Sequence, residues 1–231
     1  MIKKFLIRYF PFLGKYKRFL KAIQHSIQNI DTYSQHKEDI FFIDYIKKNN
    51  LSITNYIYVD VGANHPTDIS NTFLLYKNGM KGIIVEPNQE LINLFKFFRK
   101  KDILFNIGVG NVTSMLNFFV SKTPVISSFI DSWGDSDISD NYFVPVMLLD
   151  DALRNIEQKP IFLLSIDVEG MNTEALEGAK ETFSKSLLVC IEWDDLNEKE
   201  KYSKILGSNF NPIIDLGCNK IFENKNLNKI A

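Results

Sequence analysis

Three short segments of the chain carry side chains able to do chemistry. The first, YVDVGANHPT at residues 58–67, leaves an apolar run through Asp60 and turns at Gly62, Ala63 and Asn64 before meeting His65 and Pro66. Gly62 lets the backbone turn without a Cβ, Ala63 stays small, and Asn64 tolerates an unusual φ and bonds its own turn. Pro66 removes a backbone donor that a pyrophosphate cradle would use. The turn therefore suits a compact cofactor with an amino-acid end better than a diphosphate bridge, with a plain tight turn as the alternative. In the second segment, GIIVEPN at 82–88, Glu86 ends a strand-like run where a carboxylate can accept both hydroxyls of an adenosine ribose. Pro87 and Asn88 then stop the strand and start a helix, which fixes that carboxylate beside a cleft. The third segment is SIDVEG, 165–170, where Asp167 and Glu169 point to one side if extended geometry persists. Two carboxylates aimed into one cleft can raise one another's pKa and suit proton abstraction from a hydroxyl. Capping of the next helix is the structural alternative. His65, with an ordinary pKa close to neutrality, is a further candidate base, against the commoner role of a loop histidine in a local hydrogen bond. Glu192 ends another strand-like run and can orient a substrate or cap the next segment.

Positioning such residues takes a sheet, and the hydrophobic pattern supplies one. Strand-like runs occur at 56–61, 82–86, 103–109, 161–167 and 187–192, with helix-like stretches at about 69–78, 88–100 and 171–184. This alternation predicts a parallel sheet covered on both faces. Residues 31–48 read as a helix capped at Ser34. Residues 113–146 are too long for a connection and read as an insertion or lid, with strands at Met115–Val120 and Phe143–Leu149 flanking the polar loop DSWGDSDISD. Within it Trp133 and Tyr142 can stack on a sugar ring or pack on the sheet. Asp135, Asp137 and Asp140 read as a solvated loop, so no metal site is expected. The C-terminal FNPIIDLGCNKIFEN predicts an antiparallel hairpin around Gly217–Asn219 at one sheet edge.

The 231 residues, 45 % of them hydrophobic, suffice for one α/β domain with an appendage. A formal charge of −1 argues against nucleic acid as a partner, which demands a basic footprint. The charge is uneven, because Lys3, Lys4, Arg8, Lys15, Lys17, Arg18 and Lys21 precede Asp31 with no acidic residue among them. Ile2, Phe5, Leu6 and Tyr9, then Tyr16, Phe19, Leu20, Ile23, Ile27 and Ile30 repeat at helical spacing on either side of Pro11. Residues 1–30 thus read as a broken basic amphipathic helix, with 31–231 as the main domain. The helix packs on its own domain, contacts anionic lipid through residues 1–22, or docks a partner. Cys190 and Cys218 match no metal spacing and read as buried thiols of a reducing compartment. With no uninterrupted apolar span, the expected location is the cytoplasm, including the inner membrane face.

In order and spacing, VDVGAN, IIVEPN, NIGVGN, LLSIDVEGMNTEALEGAKE and LLVCIEWD closely resemble the FkbM family of S-adenosylmethionine-dependent methyltransferases, from about Tyr33 to the terminal hairpin. The resemblance implies a Rossmann-like class I methyltransferase fold: an α/β, mostly parallel seven-stranded sheet with a C-terminal antiparallel hairpin, here with an N-terminal helical extension. It implies that Asp60, Gly62, Ala63 and Asn64 line the methionine end of S-adenosyl-L-methionine, that Glu86 holds the ribose, and that Asn88, Asn106 and Ile107 border the adenine. Asp167 and Glu169 would face the transferring methyl, with Gln35, Glu38 and Asp39 closing over the cofactor. The chain departs from the family pattern at His65-Pro66 and at Met80. The implied activity is O-methylation of a small-molecule or glycan hydroxyl, such as a sugar of a surface polysaccharide or glycolipid. A catalytically silent binding module and a dinucleotide-dependent oxidoreductase are the competing classes. GANHPT has a single glycine where the oxidoreductase needs a glycine-rich loop, and the retained cleft carboxylates oppose the silent module.

Overall fold

A computed structural model of the chain describes residues 11–28, 30–122, 126–131, 137–156, 159–193 and 196–227. Its centre is a seven-stranded sheet. Five strands are parallel: β1 (Ile57–Val61), β2 (Lys81–Val85), β3 (Ile103–Phe105), β7 (Ile161–Ile166) and β8 (Ser186–Glu192). The C-terminal strands β9 (Phe210–Leu216) and β10 (Asn219–Asn224) form an antiparallel hairpin that joins the sheet through β10 on β8. The order is β3-β2-β1-β7-β8-β10-β9. Every residue of β7 is buried, and β1 and β2 are buried beyond their first residue. Such continuous apolar runs belong to strands covered on both faces. Two cores result: Val59, Val61, Leu164 and Ile166 face one side, while Tyr58, Ile84, Phe162 and Leu163 face the other. The succession β1, β2, β3 runs outward in one direction and β7, β8 in the other, so the order reverses between β1 and β7. Ligands collect in the crevice beyond the strand ends at such a reversal.

The helices are shorter than the pattern predicted. The stretch expected at 69–78 is helical only as α3 (Phe73–Lys77), that at 88–100 is α4 (Gln89–Phe98), and that at 171–184 divides at Gly178 into α6 (Asn172–Glu177) and α7 (Lys180–Ser184). The helix expected from 31 is α2 (Glu38–Lys48), entered through Lys37 at φ 67°, so Ser34 is not its cap. Ser34 instead donates to Asp39 Oδ1 at 2.8 Å and accepts from the Asp39 amide at 3.3 Å, bracing the turn before the helix. Two further helices are α5 (Leu149–Leu153) and α8 (Leu196–Leu206).

The run read as one strand over 103–109 also divides. After β3, Asn106 and Ile107 leave the main sheet and β4 (Gly108–Val109) pairs parallel to β6 (Ile138–Met147) in a second sheet, completed by β5 (Ser114–Ser121) antiparallel to β6. β6 begins inside the stretch expected to be loop, and Asp140 lies within it. Trp133 and Asp135 lie outside the described residues. Tyr142 packs rather than presenting its ring to the crevice: it contacts Phe118 with centroids 6.0 Å apart, and its hydroxyl accepts from the Gln89 amide at 3.3 Å.

Of the readings open for the basic helix, packing on its own domain describes residues 16–27. These belong to α1 (Pro11–Ile27). Arg18 pairs with Glu90 at 3.2 Å, Lys21 pairs with Asp68, and Phe19 lies 5.5 Å from the rings of Phe97 and Phe98. The stripe from Ile2 to Tyr9 lies outside the described residues. Of the two thiols, both free, Cys190 is buried as expected and Cys218 only half-buried.

Behind β1, Arg99 is fully buried. Its Nε donates to Asp102 Oδ2 at 2.7 Å and its Nη2 to the Tyr58 hydroxyl at 2.6 Å. Both terminal nitrogens donate to Thr72 Oγ1 at 3.0 Å, and that hydroxyl donates to Asp60 Oδ2 at 2.5 Å. The guanidinium is thus satisfied between two carboxylates, reaching Asp102 directly and Asp60 through Thr72. Arg99→Met leaves both acids without their cation in the interior. Loss of one partner of a buried ion pair costs about 3–5 kcal/mol, and we expect the urea midpoint of unfolding to fall accordingly; an unchanged midpoint contradicts the structural role.

Candidate active site

The ends of β1, β2, β7 and β8 open into a cavity of about 260 Å³. The β1 loop enters it through Gly62, at φ 75°, and Asn64, at φ 51°, both left-handed as their residue types permit. Gly62 is constrained twice, because a Cβ there would sit 1.8 Å from the Asp167 carbonyl oxygen. The two loops are stitched to the sheet by Gly62 N–H to Val85 O at 2.9 Å and Asp167 N–H to Val61 O at 3.0 Å.

Glu86 stands across this opening. Its Oε2 accepts the Asn64 amide at 2.8 Å and its Oε1 the Asn88 amide at 2.7 Å, so one carboxylate ties the β1 loop to the β2 loop. Asn88 caps α4 by accepting from the Glu90 amide at 2.9 Å. Burial raises Glu86 to about 7, against the two amides, which favour the ionised form; Asp60 and Asp167 add to the rise. Asp60 is raised as well by burial, opposed by Arg99 and by hydrogen bonds from Thr72 and Ser165.

On the β7 and β8 side, carboxylate oxygens of Asp167, Glu169 and Glu192 lie within 4.8 Å of one another, each residue partly buried. The spacing suits a shared proton or a shared divalent cation, so these three, and not Asp137 or Asp140, are the described residues able to hold a metal. Cys218 faces Glu192: burial and that carboxylate push the thiol up to about 12, leaving it a hydrogen-bond donor rather than a nucleophile. The insertion supplies the opposite wall with Phe118, Ile126, Ser127, Ser128 and Phe129. Ser128 Oγ donates to the Glu169 carbonyl at 2.7 Å and accepts the Ile130 amide at 3.0 Å, fastening that wall to the acidic loop.

Asp60, Gly62, Ala63, Asn64, Glu86, Asn88, Ile107, Asp167 and Glu169 all line the cavity. His65 and Asn106 do not. The His65 ring is buried, with Nδ1 accepting the Thr67 and Asp68 amides at 3.3 and 3.1 Å, and Nε2 within 3.2 Å of the Arg18 carbonyl. Burial lowers it to about 4. Both nitrogens are committed to holding the loop, which removes His65 from the candidate bases. Asn106 donates to the carbonyls of Glu86 and Pro87 at 2.9 and 2.8 Å, so it supports the β2 loop from behind instead of bordering a ligand. Gln35 lines the cavity, whereas Glu38 and Asp39 are buried: Asp39 accepts the Tyr33 amide at 2.7 Å, and Glu38 accepts from the His36 amide and Asn219 Nδ2, each at 2.8 Å. They hold the segment that presents Gln35. Sequence reading missed Asn71, whose Nδ2 donates to Ser165 Oγ at 3.3 Å beside Asp60, and the wall residues Phe118 and Phe129. The aromatic pair Phe118–Phe119 in a strand-like run carried the signal for Phe118; nothing local marked Phe129 or Asn71.

The profile of the methyltransferase FkbM domain matches residues 60–220, which contain both loops and the acidic cluster. No curated protein matches the chain. Among solved structures, the methyltransferase FkbM from Methylobacillus flagellatus KT is 15 % identical with a TM-score of 0.48, over 94 % of this chain and 59 % of that one. Monomeric WbdD is 8 % identical with a TM-score of 0.46, over 84 % of this chain and 42 % of that one. The chain therefore spans about three fifths of the first and two fifths of the second. Because the matched segment covers well over half of its length, and carries the loops that build the cavity, the chain belongs to the FkbM methyltransferase family.

Proposed function

We propose that the chain is an S-adenosyl-L-methionine-dependent O-methyltransferase whose acceptor is an uncharged hydroxyl, such as that of a sugar in a surface polysaccharide or glycolipid. One observation carries this reading. Asp60, Glu86, Asp167, Glu169 and Glu192 line the cavity, and among its described lining residues there is no Lys, Arg or His. A low-dielectric crevice with that charge set favours a cation and repels a dinucleotide's pyrophosphate or an anionic acceptor. It suits a sulfonium with an ammonium group, and a neutral alcohol beside it.

The residues fit that cofactor. Glu86 has one hydrogen bond on each oxygen and keeps acceptor capacity toward the cavity for a ribose diol. Gly62 leaves the β1 loop free of a side chain where the methionine end would lie, and Asn88, Leu91 and Ile107 offer a narrow wall for a base. When bound, the cofactor supplies an already activated methyl group. The protein's part is then to align the acceptor oxygen, exclude water and receive the hydroxyl proton. Asp167 or Glu169 receives it, with Glu192 sharing the charge, and Phe118 and Phe129 cover the opposite side.

Calorimetric titration should show binding of S-adenosylhomocysteine and none of NAD; the reverse supports an oxidoreductase, and neither a silent module. Glu86→Ala should weaken that binding by about 1.5–3 kcal/mol, as for a lost hydrogen bond to a charged group. Asp167→Asn should spare binding and lower turnover by about 100-fold or more, the scale of a lost general base, read as loss of methylated product by mass spectrometry. The pH dependence follows from Glu86. Without ligand the folded protein keeps a proton on this group up to about 7, whereas its ordinary value is 4.5. Through that window the folded state binds more protons than the unfolded, so its contribution to stability falls as pH rises. Diol donors favour the ionised form, so S-adenosylhomocysteine affinity should climb between about pH 6 and 8. Glu86→Gln should flatten the profile.

A further inference from the structure

α1 uses only part of its circumference on the domain. Ala22 is buried, and Arg18, Phe19 and His25 face inward, the last donating from Nδ1 to the Thr67 carbonyl at 2.8 Å. Tyr16, Leu20 and Ile27, exposed by 58, 43 and 75 %, fall within about 40° of one another on a helix and form a separate apolar stripe. Phe97 of α4, 55 % exposed, continues it through the Phe19 ring 5.5 Å away. Lys17 is exposed beside the stripe on α1, Lys96 is exposed next to Phe97 in α4, and Lys100 sits 5.5 Å over the Phe97 ring. The acidic groups nearby are already matched, Glu90 by Arg18 and Asp68 by Lys21.

We propose that this face, built from α1 and the end of α4, is a docking surface for an anionic lipid bilayer. Charge complementarity selects the occupant. Seven basic residues precede the first acidic one, and the ten residues leading into α1 continue the alternation of apolar and basic side chains with Ile2, Phe5, Leu6, Lys3, Lys4 and Arg8. A helix with an apolar stripe bordered by lysines lies in the plane of a membrane interface, its stripe among the acyl chains and its ammonium groups at the phosphates. Among the described residues no helix is long and apolar enough to cross a membrane, so the contact is peripheral. The inference is independent of the chemistry at the cavity, because no residue of the face lines it.

The test is sedimentation of the full chain with vesicles of phosphatidylcholine alone or mixed with phosphatidylglycerol. Binding should require phosphatidylglycerol and weaken with added salt. The triple variant Tyr16→Glu, Leu20→Glu, Ile27→Glu should bind at least about tenfold more weakly, while unchanged circular dichroism and S-adenosylhomocysteine binding report an intact fold. Lys17→Ala, Lys96→Ala, Lys100→Ala, which touches charge alone, should also weaken binding. No binding to the mixed vesicles, undiminished binding by either variant, or a dimer in sedimentation velocity that the triple variant abolishes in place of vesicle binding, each overturns the proposal.

Discussion

The carboxylate of Glu86 holds the site together. One oxygen takes a backbone N–H from the loop after β1 and the other takes one from the loop after β2, so two loops from different crossovers share a single rigid hinge-pin. A neutral amide in its place would offer only one acceptor atom, and the two N–H groups it now satisfies would compete for it. Everything else at the opening is arranged around this contact. Asn106 braces the same loop from behind, Asn88 caps the adjoining helix, and Gly62 lets the neighbouring acidic loop close in.

The electrostatic layout separates two kinds of buried charge. Behind β1, Arg99 pairs with Asp102 and reaches Asp60 through Thr72, so that one interior cation serves two acids. In front of the sheet, the carboxylates face a cavity without a cationic side chain among the described residues. Asp60 sits between the two regions, anchored from behind and lining the cavity in front. The protein thus fixes Asp60 from behind through Thr72 and Arg99, and holds Glu86 in front by two backbone amides.

Much of this was legible in the chain itself. The five parallel strands, the terminal hairpin, and the placement of Gly62, Glu86, Asp167 and Glu169 at strand ends follow from apolar runs that stop at turn residues, while the seven-stranded architecture was implied by the family resemblance. Where local pattern misled, long-range contacts were responsible. The 103–109 run looks continuous, yet its last two residues, Gly108 and Val109, pair with Val146 and Met147 of β6 rather than with β2. His65 has the chemistry of a base and is spent on loop amides and an α1 carbonyl. Arg99, to which no sequence pattern assigned a role, is a fully buried side chain because its partners come from β1, from the residue that precedes α3 and from Asp102. Ser34 looks like a helix cap and instead ties a turn one step earlier.

The hydroxyl of Ser128 reaches from the inserted sheet to the main-chain oxygen of Glu169. The wall that the insertion gives the cavity is consequently coupled to the placement of the acidic loop: a transplanted hairpin lacking an equivalent donor would reshape that wall and loosen Asp167 and Glu169 in the same stroke. Any change to the one has to move the other with it.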